Sequence, residues 1–127
     1  MRILLDTHAL WWLLEDNEKI PQVTIDIVRA NEKDIYVSIA SLWEVAIKLS
    51  IEKLDFDGGI AHFIDIVEDT GFSLLEISPE HIKAVAELPL FHRDPFDRIL
   101  IAQSMVEEMS IMTRDANIIK YDVNSIW

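Results

Sequence analysis

The chain has 127 residues, the length of one domain over 1–127, and carries 11 Lys and Arg against 23 Asp and Glu for a formal net charge of −12, with no cysteine. Missing thiols exclude disulfides and thiolate metal sites, and the acidity excludes a broad basic surface of the kind that holds nucleic acid nonspecifically. The same acidity is compatible with phosphate chemistry run through bound divalent cations, which invert the local field, and with a basic partner protein.

In chain order, the apolar run at 2–5 ending in Asp6 predicts a strand, and 8–15, with its wide apolar face, a helix. Pro21 suits the first turn of a helix over 21–31. Residues 35–37 are β-branched and aromatic and predict a second strand, after which Ser38 opens a helix over 38–53 with Ile39, Leu42, Ala46 and Leu49 on one face. Gly58-Gly59 breaks the chain before a helix over 60–70, and Gly71 precedes a third strand over 72–77. Ser78-Pro79 starts a helix to 87, and Asp94-Pro95 starts another to 109. Residues 111–113 predict a fourth strand and 123–127 a short fifth. Strands alternating with one or two helices indicate the α/β class, a parallel sheet covered by helices on both faces. No apolar run approaches the roughly 18 residues of a bilayer span, and Asp6 arrives too early for a secretory signal, so a cytoplasmic protein without a membrane segment is expected.

Each conspicuous acid has an ordinary structural explanation. Asp6 and Asp115 follow apolar strands and precede helices, where an aspartate caps backbone amides. Ser41-Leu42-Trp43-Glu44 matches a capping box, and Glu44 with Lys48 makes an i to i+4 ion pair. A helix that starts at Ser38, however, puts Ser41 in its interior and sets Glu44 among Trp43, Val45 and Ile47, an unusual place for a charge. Asp94-Pro95-Phe96-Asp97 describes a helix start, with Asp94 as the cap and Asp97 in the first turn, where the helix dipole accepts an anion.

Together the acids say more. Ligand sites in open parallel sheets form beyond the carboxyl ends of the strands, where Asp6 and Asp115 are expected and over which Glu44 and Asp97 can lean. Unit charges about 4 Å apart repel by roughly 4 kcal/mol at an effective dielectric of 20, so such a cluster calls for a cation. An all-oxygen donor set selects magnesium or manganese over zinc. His8, His62, His81 and His92 show no ligand spacing and are expected in packing or surface roles. Trp11, Trp12 and Trp43 lie on apolar helices and are expected in the core rather than as base-stacking platforms, with Trp11 or Trp12 also available to a partner surface. His92-Arg93-Asp94 matches the start of a kinase catalytic loop, but Ile99 stands where that loop needs asparagine and no glycine-rich loop exists.

The stretches Leu5-Asp6-Thr7-His8-Ala9-Leu10-Trp11-Trp12, Ser38-Ile39-Ala40-Ser41-Leu42-Trp43-Glu44-Val45-Ala46-Ile47-Lys48, His92-Arg93-Asp94-Pro95-Phe96-Asp97-Arg98-Ile99-Leu100-Ile101-Ala102-Gln103 and Thr113-Arg114-Asp115 closely resemble PIN-domain proteins, most of all the VapC toxin branch of toxin-antitoxin pairs. The resemblance runs over nearly the whole chain. It implies a five-stranded parallel sheet sandwiched by helices, magnesium or manganese at an acidic site, and endonucleolytic cleavage of RNA leaving a 5′-phosphate and a 3′-hydroxyl. It carries the family's acidic positions to Asp6, Glu44, Asp97 and Asp115, and the hydroxyl beside its metal site to Thr7, Ser41 or Thr113. It also implies a homodimer and a small DNA-binding antitoxin whose basic tail occupies the acidic groove.

On this reading Asp6, Asp97 and Asp115 hold one or two ions directly or through water, and Glu44 orients or deprotonates the attacking water. Arg93, Arg98, Arg114 and Lys48 lie near the acids in sequence, where they can steady phosphate oxygens or serve as solvated ion-pair partners. Two other classes compete. A phosphoacceptor signalling domain also uses a small parallel sheet, magnesium and strand-end carboxylates, but wants paired acids after the first strand, where Leu4-Leu5-Asp6 supplies one. A non-catalytic PIN-like binding module would not need the intact acid set.

Overall fold

The computed structural model describes residues 1–127. Its elements are β1 (Ile3–Leu5), α1 (Thr7–Glu15), α2 (Gln22–Ala30), β2 (Ile35–Ser38), α3 (Ile39–Ser50), α4 (Gly59–Asp69), β3 (Ser73–Leu75), α5 (Pro79–Glu87), α6 (Pro95–Val106), β4 (Ser110–Met112), α7 (Ala116–Ile119) and β5 (Ser125–Ile126), with single 3₁₀ turns at Asn17–Lys19 and Glu32–Asp34. The strands form one five-stranded sheet in the order β3-β2-β1-β4-β5, with every neighbouring pair parallel. This is the expected fold class.

The order follows the chain outward and back. From β1 the backbone steps to β2 and then to the β3 edge, returns across the sheet, and lays β4 and β5 on the other side of β1. Right-handed crossovers running in opposite directions deposit their helices on opposite faces. The core divides accordingly. Ile3, Leu5, Ile35, Val37 and Met112 pack with Ala9, Leu10, Val28, Leu42, Val45, Phe63 and Val67 from α1 to α4. The alternate residues Leu4 and Ile111 pack with Leu100 and Ile101 of α6, Met109, Ile118 and Tyr121. Because both faces are covered, Ile3, Leu4 and Leu5 are all buried and the strand reads as an unbroken apolar run.

Reversal of chain direction beside β1 creates a crevice between the carboxyl ends of β1 and β4, the usual place for a ligand in such sheets. The Asp6 amide donates to the Met112 carbonyl at 3.1 Å and closes the floor of that crevice. The order also differs from the 2-1-3-4-5 arrangement of phosphoacceptor domains, which removes the main support for that alternative.

Two helices stop sooner than expected. α3 ends at Ser50 instead of 53 because Glu52 takes a left-handed conformation (φ 59°) and the Lys53 amide turns back to the Lys48 carbonyl at 2.9 Å. α6 ends at Val106 instead of 109 by the same device, with Glu108 at φ 55° and the Met109 amide on the Ser104 carbonyl at 2.9 Å. Glycine is the usual stop residue at that position, and with Glu in its place no stop signal is visible in the sequence. β3 is limited to 73–75 because it is an edge strand, paired only with β2. No helix is long and apolar enough to cross a membrane.

Candidate active site

Asp6 is the first residue beyond β1 and the N-cap of α1, accepting from the Ala9 amide at 2.7 Å through Oδ1. Asp115 stands beyond β4 and caps α7, accepting from the Asn117 amide at 2.8 Å through Oδ1. Both aspartates thus cap helices, and the cap engages Oδ1 of each carboxylate. Asp94 caps α6 with bonds from the Phe96 and Asp97 amides at 2.9 and 3.0 Å, which leaves Asp97 in the first turn. Ser38, not Ser41, caps α3, so Ser41 and Glu44 lie inside the helix on its buried side. The capping-box reading of Ser41 and Glu44 fails for that reason.

The acids share one electrostatic neighbourhood. Burial raises the Asp6 carboxyl above its ordinary value; hydrogen bonds with Thr113 and the Ala9 amide and the charge of His8 pull it back, and Asp115 pushes it up again. Asp97 is pushed up to about 6, first by burial and then by Asp94, Asp115 and Glu44, against a lowering hydrogen bond from His92. Asp97 thus feels Glu44 of α3 and Asp115 beyond β4, and Asp6 feels Asp115, so the acids are linked pairwise through their charges.

Glu44 is 5% exposed. Its Oε2 is paired with Lys48 Nζ at 2.7 Å, while its Oε1 is buried with no hydrogen-bond partner. A buried carboxylate oxygen left unsatisfied costs about 1–3 kcal/mol, so this atom asks for a proton donor or a cation. Of the hydroxyls expected beside the site, two pair with each other and the third accepts from the backbone. Thr7 Oγ1 donates to Ser41 Oγ at 3.0 Å, tying α1 to α3, and Thr113 Oγ1 accepts from the Asp115 amide at 3.0 Å. A cavity of about 200 Å³ opens over Asp6 and Asp115 and is bounded by His8, Trp12 and Arg114. The Arg114 guanidinium lies 4.5 Å from the centroid of the Trp12 ring.

No three of the Asp, Glu and His side chains close around one point as a ready-made cage for an ion. The expectation of an ion gathered directly by three carboxylates is not met in that form. The donor chemistry still fits magnesium, which retains several waters and is usually held through one or two carboxylates. An all-oxygen set with an unsatisfied Glu44 oxygen and two carboxyls pushed above their ordinary range is consistent with it.

The cations divide by role. Arg114 borders the cavity. Lys48 is committed to Glu44. Arg93 lines an apolar groove with Trp43 and Phe96. Arg98 is fixed elsewhere: its guanidinium donates to the Pro89, His92, Val85 and Leu88 carbonyls and to the Tyr121 hydroxyl, so it fastens the loop before α6.

Three side chains depart from expectation. Trp43 is 59% exposed, with its edge against Phe96, and is not a core residue; Ile39, at 36%, is also outside the core. The buried side of α3 carries Ala40, Ser41, Leu42, Glu44 and Val45, because its first turns face the polar crevice and not the sheet alone. His92, expected in a packing or surface role, places Nε2 3.1 Å from Asp97 Oδ2.

The family model described as PIN domain matches residues 3–124. Among solved structures, the fold is similar to that of VapBC2 from Rickettsia felis bound to a promoter DNA fragment, with 15% identity over 99% of this chain and 98% of that one and a TM-score of 0.77. It is similar to DNA-bound VapBC from Salmonella typhimurium, with 12% identity over 99% and 97% and a TM-score of 0.74. A toxin-antitoxin complex from Klebsiella pneumoniae matches with 15% identity over 98% and 96% and a TM-score of 0.66. The sequence finds no significant match among curated proteins. With the family model covering residues 3–124 of the 127, the chain belongs to the PIN domain family.

Proposed function

We propose that the chain is a magnesium- or manganese-dependent endoribonuclease, the toxin of a toxin-antitoxin pair. The observation that carries this is Glu44 Oε1, a buried carboxylate oxygen with no hydrogen-bond partner in a PIN-family chain; the Asp97 carboxyl, pushed up to about 6 by burial, by its neighbour Asp94 and by the more distant Asp115 and Glu44, supports it. Asp6, Asp97 and Asp115 would hold the metal, directly or through water. A bound divalent ion supplies polarisation of the phosphate and a more acidic attacking water. Glu44 would orient an attacking water and accept its proton on Oε1, the oxygen left free by the Lys48 pair. Arg114, braced on Trp12 at the cavity mouth, steadies a phosphate oxygen. Thr113, hydrogen-bonded to Asp6 and to the Asp115 amide, holds two of the acids, the Thr7–Ser41 pair ties α1 to α3, and all three hydroxyls can contact water or ribose.

The partners follow from charge and from the relatives. VapBC complexes bound to DNA and a toxin-antitoxin complex share this fold, which supports a small DNA-binding antitoxin as partner. The net charge of −12 favours a basic tail on it. An apolar groove between α3, α5 and α6, lined by Trp43, Ile82, Val85 and Phe96, supports a protein contact, and homodimerisation is part of the same reading.

The test is initial-rate cleavage of a short single-stranded RNA with and without magnesium. Cleavage is expected to need the ion. Asp97→Asn should abolish it, and Glu44→Gln should lower kcat by about 10²–10⁴-fold, the usual contribution of a general base. Metal-independent cleavage, or full activity in Asp97→Asn, overturns the assignment.

A further inference from the structure

We propose that Arg98, Tyr121 and His92 form a relay of fixed hydrogen-bond direction that ends in a standing N–H donor on Asp97, so that His92 is a positioning residue for that carboxylate. The inference rests on the reading of Asp97 as a metal-holding acid and names the groups that set its orientation.

The direction follows from counting donors and acceptors around the Tyr121 hydroxyl. A phenolic oxygen has one proton to give and two lone pairs to receive. Arg98 Nη1 donates to it at 2.9 Å and has no accepting capacity, so one lone pair is taken. The His92 amide, 3.3 Å away, takes the second. The hydroxyl proton then has two candidate acceptors, His92 Nδ1 at 2.8 Å and the His92 carbonyl at 3.4 Å, and distance favours the ring nitrogen. The opposite tautomer would aim three N–H groups at two lone pairs. Nδ1 therefore accepts, and the ring proton sits on Nε2, from which it donates to Asp97 Oδ2 at 3.1 Å.

The start of the relay is rigid. The Arg98 guanidinium is also held by the Pro89 carbonyl at 2.8 Å and by the Val85, Leu88 and His92 carbonyls, and Tyr121 is 3% exposed within the core. Its end ties Asp97 Oδ2 and restrains the carboxylate. The same bond partly offsets the burial and repulsion that push the Asp97 proton affinity up. Hydrogen-bond partners behind a metal ligand are typically worth 10–100-fold in metal affinity.

The experiment uses the full chain. Nitrogen-15 NMR of the imidazole rings at pH 8 should show His92 with its proton on Nε2, and Tyr121→Phe should release the other tautomer. Manganese titration calorimetry should show His92→Ala binding about 10–100-fold more weakly. His92→Gln, whose amide N–H can stand near the Nε2 position, should recover most of that loss, a rescue that a purely structural role would not give. A wild-type His92 with its proton on Nδ1 overturns the relay. So does His92→Ala binding manganese like the wild type while Asp97→Asn loses it. Manganese binding untouched by Asp97→Asn overturns the parent reading instead, and the NMR tautomer still decides the relay.

Discussion

Asp97 is held where its charge is disfavoured, and the consequence for stability has a definite sign. Burial and the neighbouring acids push its carboxyl up to about 6 in the fold, from about 3.9 in an unfolded chain. Between those values the folded state binds more protons, so stability is greatest below the unfolded value and falls as pH rises through the folded one. Removing the charge should help only where the charge exists. The side chain is 19% exposed, so solvent screens part of the penalty, and Asp97→Asn should gain on the order of 2 kcal/mol at pH 8. Thermal melts in a chelator should show the variant several degrees above the wild type at pH 8 and level with it at pH 4. A variant that melts no higher at pH 8 would mean that the charge at position 97 carries no penalty. The acids were readable in the sequence because aspartate at the end of an apolar run is chemically conspicuous whether it caps or binds. His92 was not, because its ring is assigned by Tyr121, 29 residues away, and by Asp97, which only the folded loop brings into reach.

At the scale of elements, the starts of helices carried the information and their ends did not. Asp6, Ser38, Ser78, Asp94 and Asp115 all cap as their residue types suggest, whereas Glu52 and Glu108 end helices in a conformation that glutamate does not advertise. The caps also explain why the site is where it is: capping residues of helices that follow strands necessarily stand at the strands' carboxyl ends. Asp94 separates the two duties. It accepts from the Phe96 and Asp97 amides, and its charge is the foremost neighbouring repulsion on Asp97. Asp94→Asn and Asp94→Ala both remove the charge, but only Asn keeps an acceptor. Urea unfolding at neutral pH should therefore find Asn the more stable of the two by about 1 kcal/mol. Both should shift the Asp97 carboxyl downward in a carbon-13 NMR titration. Equal stability of the two variants would show that the cap contributes nothing to α6.

The whole molecule poses an electrostatic problem that no single residue shows. Class and layering were legible, since buried apolar strands between amphipathic helices admit few alternatives, but the strand order was not, because nothing local in 110–112 says that it must lie beside β1 and opposite β2. That order puts Asp6 and Asp115 on one cavity beyond the neighbouring strands β1 and β4, in a molecule whose net charge is already −12. A nuclease that tracks RNA with lysines and arginines loses association as salt rises, because counterions compete for each phosphate contact; six to ten contacts cost about 10³–10⁵-fold between 50 and 200 mM. Here the long-range force on RNA is repulsive, and monovalent salt screens it, with a Debye length of about 10 Å at 0.1 M. At fixed magnesium, kcat/KM on a short single-stranded RNA should therefore stay flat or rise modestly as potassium chloride goes from 50 to 200 mM. A basic peptide standing for a partner's tail feels the same field with the opposite sign, so its association should slow steeply over the same range. A steep fall in cleavage with salt would mean that a local basic track, built around Arg114 and Arg93, outweighs the charge of the whole.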